Sequence, residues 1–281
     1  MKWQGDENMM KLVRSTVQGA AVAGIALAAL AAPAFAGSLK DEAPAEEGRK
    51  LTWSFNIAGT SDYVFRGISQ TDNDGTLQGA IDIGYGIFYA GIWGSGLDFQ
   101  AAFNDAQLEI DLYAGIKPVW GPATFDFGVI YYVYPGADFI APIVGPDLDY
   151  FEFKAGVSGE VIKNLSAGAT VFYSPDYFGE TGSAWTVEGT LAYTLPAIGK
   201  LVPSVSGLIG YQDGSDADYL AFNGFDNYVY WNVGVGVALD KLTLDFRYHG
   251  TDAENATSAG LSCINNYCDD RFVFTAKVTL P

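Results

Sequence analysis

The chain has 281 residues, 49% of them hydrophobic and 15% aromatic, with 33 acidic against 15 basic residues and a formal net charge of −18. So acidic a balance excludes a phosphate-backbone partner, and nucleic acid is not expected; the aromatic content in turn excludes a disordered chain. After Gly37 no apolar run is long enough for a membrane helix, whereas 34 glycines set among many aromatics favour a β protein with many turns.

The chain opens on MKWQGDEN, whose acidic character fits no export signal, so Met1, Met9 and Met10 are all candidate starts. From Met10, MKLVRSTVQGAAVAGIALAALAAPAFA carries Lys11 and Arg14, an apolar run, and then Ala34-Phe35-Ala36. This is a secretory signal over residues 1–36, cleaved before Gly37. A membrane anchor is the weaker reading, because the apolar core is short, rich in Ala and Gly, and closed by Pro33. Residues 37–50, GSLKDEAPAEEGRK, form a flexible periplasmic lead-in, and 51–281 form the folded unit.

From Leu51 a period of two takes over. In LTWSFNIAGTSDYVFRG, Trp53, Phe55, Ile57, Tyr63 and Phe65 share one parity; Ser54, Asn56, Asp62 and Arg66 share the other. TLQGAIDIGY sets Leu77, Ile81 and Ile83 against Gln78 and Asp82, and QLEIDLYAGIK sets Leu108, Ile110 and Leu112 against Glu109, Asp111, Tyr113 and Lys117. ATFDFGVIYYVY opposes Phe125, Phe127 and Val129 to Asp126 and Tyr132. The alternation continues through YFEFKAGVS, NLSAGATVFYS, AWTVEGTLAYT, YVYWNVGVGVAL, KLTLDFRYH and RFVFTAKVTL. GIFYAGIWG, apolar on both faces, and VPSVSGLIGY, mostly small residues, complete twelve predicted strands.

The connectors alternate strictly between long and short, starting with a long one. Tilted strands of about ten residues span a hydrocarbon core, and bacterial outer-membrane barrels have an even strand number, short periplasmic turns and long external loops. The predicted fold is therefore all-β, a transmembrane antiparallel barrel of about 12 strands in an up-and-down meander, located in the bacterial outer membrane. Arg66 and Asp82 are then expected to face the interior, and Phe65 and Ile81 the lipid. Tyr85 and Tyr193 fall at periplasmic strand ends and Tyr173, Tyr211 and Tyr248 at external ends, all on the lipid parity, as an interfacial belt requires. A secreted β-sandwich would also alternate, but it explains neither the loop asymmetry nor the tyrosines.

SFNIAGTSDYVFRGISQT, DLYAGIKPVWGPATFDFGVIYY, YFEFKAGVSGEVIKNLSAGATVFYSPDYFGETG and WTVEGTLAYTLP resemble the TorF-family porins, a set of proteobacterial proteins also filed as conserved hypothetical. The resemblance runs from Trp53 to near the C-terminus and implies an outer-membrane barrel acting as a porin, with no established site to carry over. Outer-membrane barrels commonly end on an aromatic residue read by the barrel-assembly machinery; this chain ends Leu280-Pro281 and departs from that pattern.

The candidate pore-lining residues are the inward charges Asp62, Arg66, Asp82, Glu109, Asp111, Lys117, Asp126, Glu152, Lys154, Glu188, Asp245 and Arg247, together with Lys277. Mixed charge across a lumen orients permeating solutes, and the excess of carboxylates favours cations. The same charges could instead pair and fill a closed interior, since eight-stranded barrels are filled and those of sixteen or more hold a channel. The first reading is a porin for passive diffusion of small hydrophilic solutes. The alternative is a non-conducting barrel whose acidic external loops, with Asp72, Asp74, Asp213, Asp252, Asp269 and Asp270, bind a surface partner or divalent cations. Outer-membrane lipids and lipopolysaccharide are the expected neighbours; the oligomeric state is not readable.

Export places Cys263 and Cys268 in an oxidising compartment, so a short disulfide loop is expected. A metal pair is disfavoured because the one histidine, His249, lies outside that loop. A Ser/His lipid hydrolase would need His249, the one available base, on the outer face, but it falls on the lumen parity with Asp245 and Arg247, so no enzyme activity is expected. QDGSDAD lacks the later Glu of a calcium loop, and no cofactor motif is present.

Overall fold

The computed structural model describes residues 50–99, 106–137, 147–214, 216–253, 262–263 and 266–281. The expected signal, the alternative starts and all but the last residue of the lead-in lie outside the described residues. In chain order the elements are β1 (Leu51–Thr60), β2 (Val64–Phe65), β3 (Ile68–Ser69), β4 (Thr76–Tyr85), β5 (Phe88–Gly96), β6 (Leu108–Ile116), β7 (Val119–Trp120), β8 (Ala123–Val133), β9 (Tyr150–Ile162), β10 (Leu165–Ser174) and β11 (Ala184–Thr194). Then follow β12 (Val202–Asp213), helix α1 (Ala217–Asn223), β13 (Asn227–Leu239), β14 (Leu242–Thr251) and β15 (Arg271–Leu280).

Twelve long strands pair antiparallel in sequence order, and β1 against β15 closes the ring, with Phe55 opposite Leu280 and Thr60 opposite Thr275. The barrel is therefore an up-and-down meander with no free edge, so every strand has two partners for its backbone N–H and C=O groups. The soluble sandwich is overturned by this closure. β2 and β3 stand apart as a two-stranded hairpin, and β7 adds a short extension beside β8.

The turns at one end are tight. Gly86-Ile87, Lys163-Asn164 and Asp240-Lys241 each join two strands, with Gly86, Asn164 and Asp240 in left-handed backbone, the conformation tight hairpins demand. The longer connectors all lie at the other end. Below, the two ends are called the short-turn end and the long-loop end.

Burial runs opposite to that of a soluble barrel. Outward positions carry the large apolar side chains: Trp53 is 61% exposed, Leu77 69%, Ile209 60%, and Ile81, Phe153, Phe246 and Phe274 are likewise exposed. The intervening polar residues, among them Asn56, Asp82, Glu109 and Glu152, are buried. A continuous apolar band around the whole wall far exceeds what a soluble monomer leaves uncovered. The ambiguous segments resolve on the same parity. In β5, Phe88 and Ile92 point out while Tyr89 and Trp93 point in; in β12, Val205, Ile209 and Tyr211 point out while Ser204, Ser206 and Leu208 point in.

The first long connector departs from the expectation. The alternation predicts an unbroken strand from Leu51 to Arg66, with Tyr63 and Phe65 facing outward. Instead β1 stops at Thr60, and residues 62–71 turn back into the lumen, carrying β2 and β3. Tyr63 is buried and Phe65 packs against the interior cluster, so neither touches the outer face. The tip of this hairpin is Arg66-Gly67, with φ of 49° and 83°. Two consecutive positive-φ residues are the signature of the tight hairpin turn whose twist matches the strands. Gly67 is required there on two counts. A β-carbon on it would lie 2.8 Å from the Tyr230 Cβ and 2.9 Å from the Thr251 Cβ, so the tip rests directly on the barrel wall.

Candidate functional site: an occupied layer over a wetter lumen

Arg66 is the centre of the interior. Its two terminal nitrogens each donate a 2.8 Å hydrogen bond to one oxygen of Glu152 on β9, and Nη1 also donates to the Gln212 side chain on β12 at 3.3 Å. Tyr132 on β8 donates to the same carboxylate at 2.9 Å. The guanidinium lies 4.7 Å from the Phe65 ring and 5.1 Å from Phe172. Burial works against the charge, but the Glu152 carboxylate overrides it and holds the guanidinium still further above its ordinary range. A non-glycine residue at φ 49° costs energy; here the forked ion pair holds Arg66 in that conformation.

The base of the hairpin is pinned separately. Asp62 accepts from Ser69 at 2.7 Å, from Thr71 at 2.9 Å and from Arg271 on β15 at 2.8 Å. Tyr63 donates to Glu109 on β6 at 2.7 Å and meets Trp93 edge-on. Burial, followed by the Glu109 and Asp111 carboxylates, raises the Tyr63 phenol well above its ordinary range and keeps it a donor. Asp111 Oδ1 and Trp93 Nε1 are buried without a hydrogen-bond partner among the described residues. Each such group costs about 1–3 kcal/mol, so this layer is held by its ion pairs against a built-in penalty.

Around Asp126, toward the short-turn end, the interior is wetter. Asp126 on β8 bonds Lys154 at 2.7 Å, lies 3.9 Å from Lys117 and accepts from Tyr89 at 2.7 Å. The side chains of Asp126, Lys154 and Lys117 are 21%, 17% and 23% exposed, against 3% and 2% for Arg66 and Glu152. On the opposite wall Arg247 is clamped by Asp245 at 3.0 Å, Asn232 at 2.7 Å and Ser206 at 2.8 Å. Asp82 accepts from Tyr113 and from Ser54, and Glu188 accepts from Tyr230 at 2.6 Å. Tyr230 reaches that position because its register partner is Gly210, where a β-carbon would collide with the ring at 2.1 Å.

The twelve predicted inward charges thus fall in two sets. Asp62, Arg66, Glu109, Asp111 and Glu152 belong to the occupied layer at the long-loop end. Asp82, Lys117, Asp126, Lys154, Glu188, Asp245 and Arg247 line the interior below it. Arg66 arrives there from the inserted hairpin instead of from a barrel strand, which corrects its expected placement. Sequence reasoning missed that hairpin, and it missed α1, which lies in the connector QDGSDADYLAFNGFDN. His249 is buried on the inward face of β14, in register with Asn232 and Arg271. Cys263 and Cys268 are joined by a disulfide with their Cα atoms 5.1 Å apart, within the range such a bond requires.

Among solved structures, the NanC porin is similar to this chain with a TM-score of 0.51 at 9% identity, over 81% of this chain and 99% of that chain. The KdgM porin gives 0.50 at 7% identity, over 81% and 98%. At such identities the likeness establishes the shared barrel fold. No curated protein matches the sequence. One family model does, described as "Bacterial protein of unknown function (Gcw_chp)", over residues 44–280; the chain belongs to that family.

Proposed function

We propose that the protein is a bacterial outer-membrane porin through which small hydrophilic solutes diffuse passively, with the β2–β3 hairpin as its constriction. The observation that carries the reading is the inverted burial. Ten-residue strands at about 3.3 Å per residue, tilted by about 40°, give an apolar band of about 25 Å, the height of the hydrocarbon in an outer membrane. The long loops then face outside and both chain ends the periplasm, consistent with a cleaved signal over 1–36 and a periplasmic lead-in over 37–50. The TorF-family resemblance points the same way. Outer-membrane lipids and lipopolysaccharide are the proposed surroundings, and the barrel-assembly machinery the proposed insertion partner despite the Leu280-Pro281 ending.

A second reading has an observation in its favour. The buried Arg66–Glu152 layer fits a non-conducting barrel whose acidic loops engage a surface partner or divalent cations. Planar-bilayer recording separates the two. The porin reading expects discrete conductance steps with a cation preference, reduced in Asp126→Asn and Asp245→Asn, which remove carboxylates from the wetter lumen. Silence from wild type and from a variant lacking residues 64–69 alike would establish the second reading.

A further inference from the structure

We propose that a cavity above the Arg66 layer is a binding site for a single uncharged ring, a neutral monocyclic aromatic solute carrying one polar substituent. The cavity lies between the inserted hairpin, the start of β9, α1 and the loops around them, and is walled by the rings of Phe65, Tyr134, Tyr150, Tyr177, Phe222 and Tyr228. Its volume is about 110 Å³. An apolar cavity of about 150 Å³ binds benzene, so a space of this order takes one ring at most and excludes a disaccharide.

Charge decides the class. The chain carries a net −18 and its long connectors are strongly acidic, yet no charged side chain lines this cavity among the described residues. A carboxylate would enter without a counter-charge and lose its hydration at a large cost. A neutral ring loses little and gains edge-to-face contacts with walls already arranged that way: Tyr150 meets Tyr177 at 4.8 Å between centroids, and Phe178 meets Phe222 at 5.8 Å, with 62° and 78° between their planes.

A polar handle is also present. Tyr150 and Tyr228 are each 4% exposed, and their hydroxyls make no hydrogen bond to any described residue. Three further polar groups on the wall are engaged: Gln212 donates to Tyr219, Asn223 to the Tyr219 carbonyl and Ser262 to Asn223. These two hydroxyls, on a wall made mostly of rings, fit a ligand with one hydroxyl or carbonyl. The inference does not depend on conduction, because binding at this mouth is open to measurement whether or not solute crosses the barrel.

The test is saturation-transfer NMR and calorimetry on the folded full-length chain in detergent, with phenol, benzoate and glucose as probes. Phenol is expected to bind, and benzoate and glucose to bind at least about tenfold more weakly. Tyr150→Phe and Tyr228→Phe, which keep the packing, should each weaken phenol by about two- to tenfold, the worth of one hydrogen bond. Phe222→Trp should fill the cavity and abolish binding. Phenol uptake unchanged in all three variants would mark micelle partition and overturn the proposal, as would glucose or benzoate binding as well as phenol. Should Phe222→Trp fail to fold, the two tyrosine variants decide the matter alone.

Discussion

Replacing Glu152 with alanine is expected to release the hairpin tip from the lumen. The Arg66–Glu152 pair is buried, with both oxygens engaged. Removing one partner leaves an uncompensated charge in a place with little access to water, which costs about 3–5 kcal/mol. Tyr132 loses its acceptor in the same stroke. What then favours the inserted position is the Gln212 hydrogen bond, the Phe65 and Phe172 rings beside the guanidinium, the Phe65–Tyr132 contact and the Gly67 seat, none of which supplies the lost counter-charge. The base of the hairpin stays anchored through Asp62 and Tyr63, so the change is a swinging out of 64–69 and the barrel itself remains closed. In bilayers the Glu152→Ala protein should conduct several-fold more than wild type, and in urea it should unfold at lower denaturant. The double variant Arg66→Ala/Glu152→Ala removes both charges and should recover part of the lost stability while still conducting well. An unchanged conductance and urea midpoint in Glu152→Ala would mean that the pair holds nothing in place.

The second large effect concerns the outer wall. Ile81 sits in the middle of β4, faces outward, and lies in register with Phe55 and Ile92, which face outward too. Ile81→Arg places a charge near the midplane of the apolar band and should cost about 2–4 kcal/mol of stability in the bilayer. Thr190→Lys, on the inward face of β11 and two residues from Glu188, should cost far less, because it meets a lumen and a carboxylate. Refolding into lipid vesicles, followed by urea titration and by the gel shift of folded barrel, compares the two directly. Equal losses would mean that the two faces are not distinguished by their surroundings.

Much of this fold was legible because a strand wall has period two and one face must be apolar. Ten of the twelve long strands could be placed from alternation, the two exceptions being GIFYAGIWG, apolar on both faces, and VPSVSGLIGY, mostly small residues; the ring closure followed from an even count with both ends on one side. The failure at Tyr63 and Phe65 has a specific cause. Parity propagates only while the strand continues, and nothing in IAGTSDYVF marks the break after Thr60. The available signal was Arg66-Gly67 between Val64-Phe65 and Ile68-Ser69, a dipeptide turn flanked by β-formers, which reads equally well as the frayed end of one strand. The inward charges were legible as a set but their pairings were not. Arg66 finds Glu152 86 positions away and Gln212 146 away, and only strand register and the inserted hairpin bring them together. The aromatic cavity was invisible for the same reason, since its walls come from six separate connectors and three strands.

A spin-label accessibility scan along β14 in lipid vesicles tests the central claim most directly. Single cysteines from Leu242 to Thr251, in a background with Cys263 and Cys268 replaced, would be labelled one at a time. Labels at Leu244, Phe246 and Tyr248 should meet oxygen dissolved in the lipid and stay shielded from a water-soluble relaxant, while those at Asp245 and Arg247 should show the reverse or neither. The account predicts a two-residue oscillation in that phase along the whole strand. A scan without oscillation, or one with the even positions in water, would contradict it.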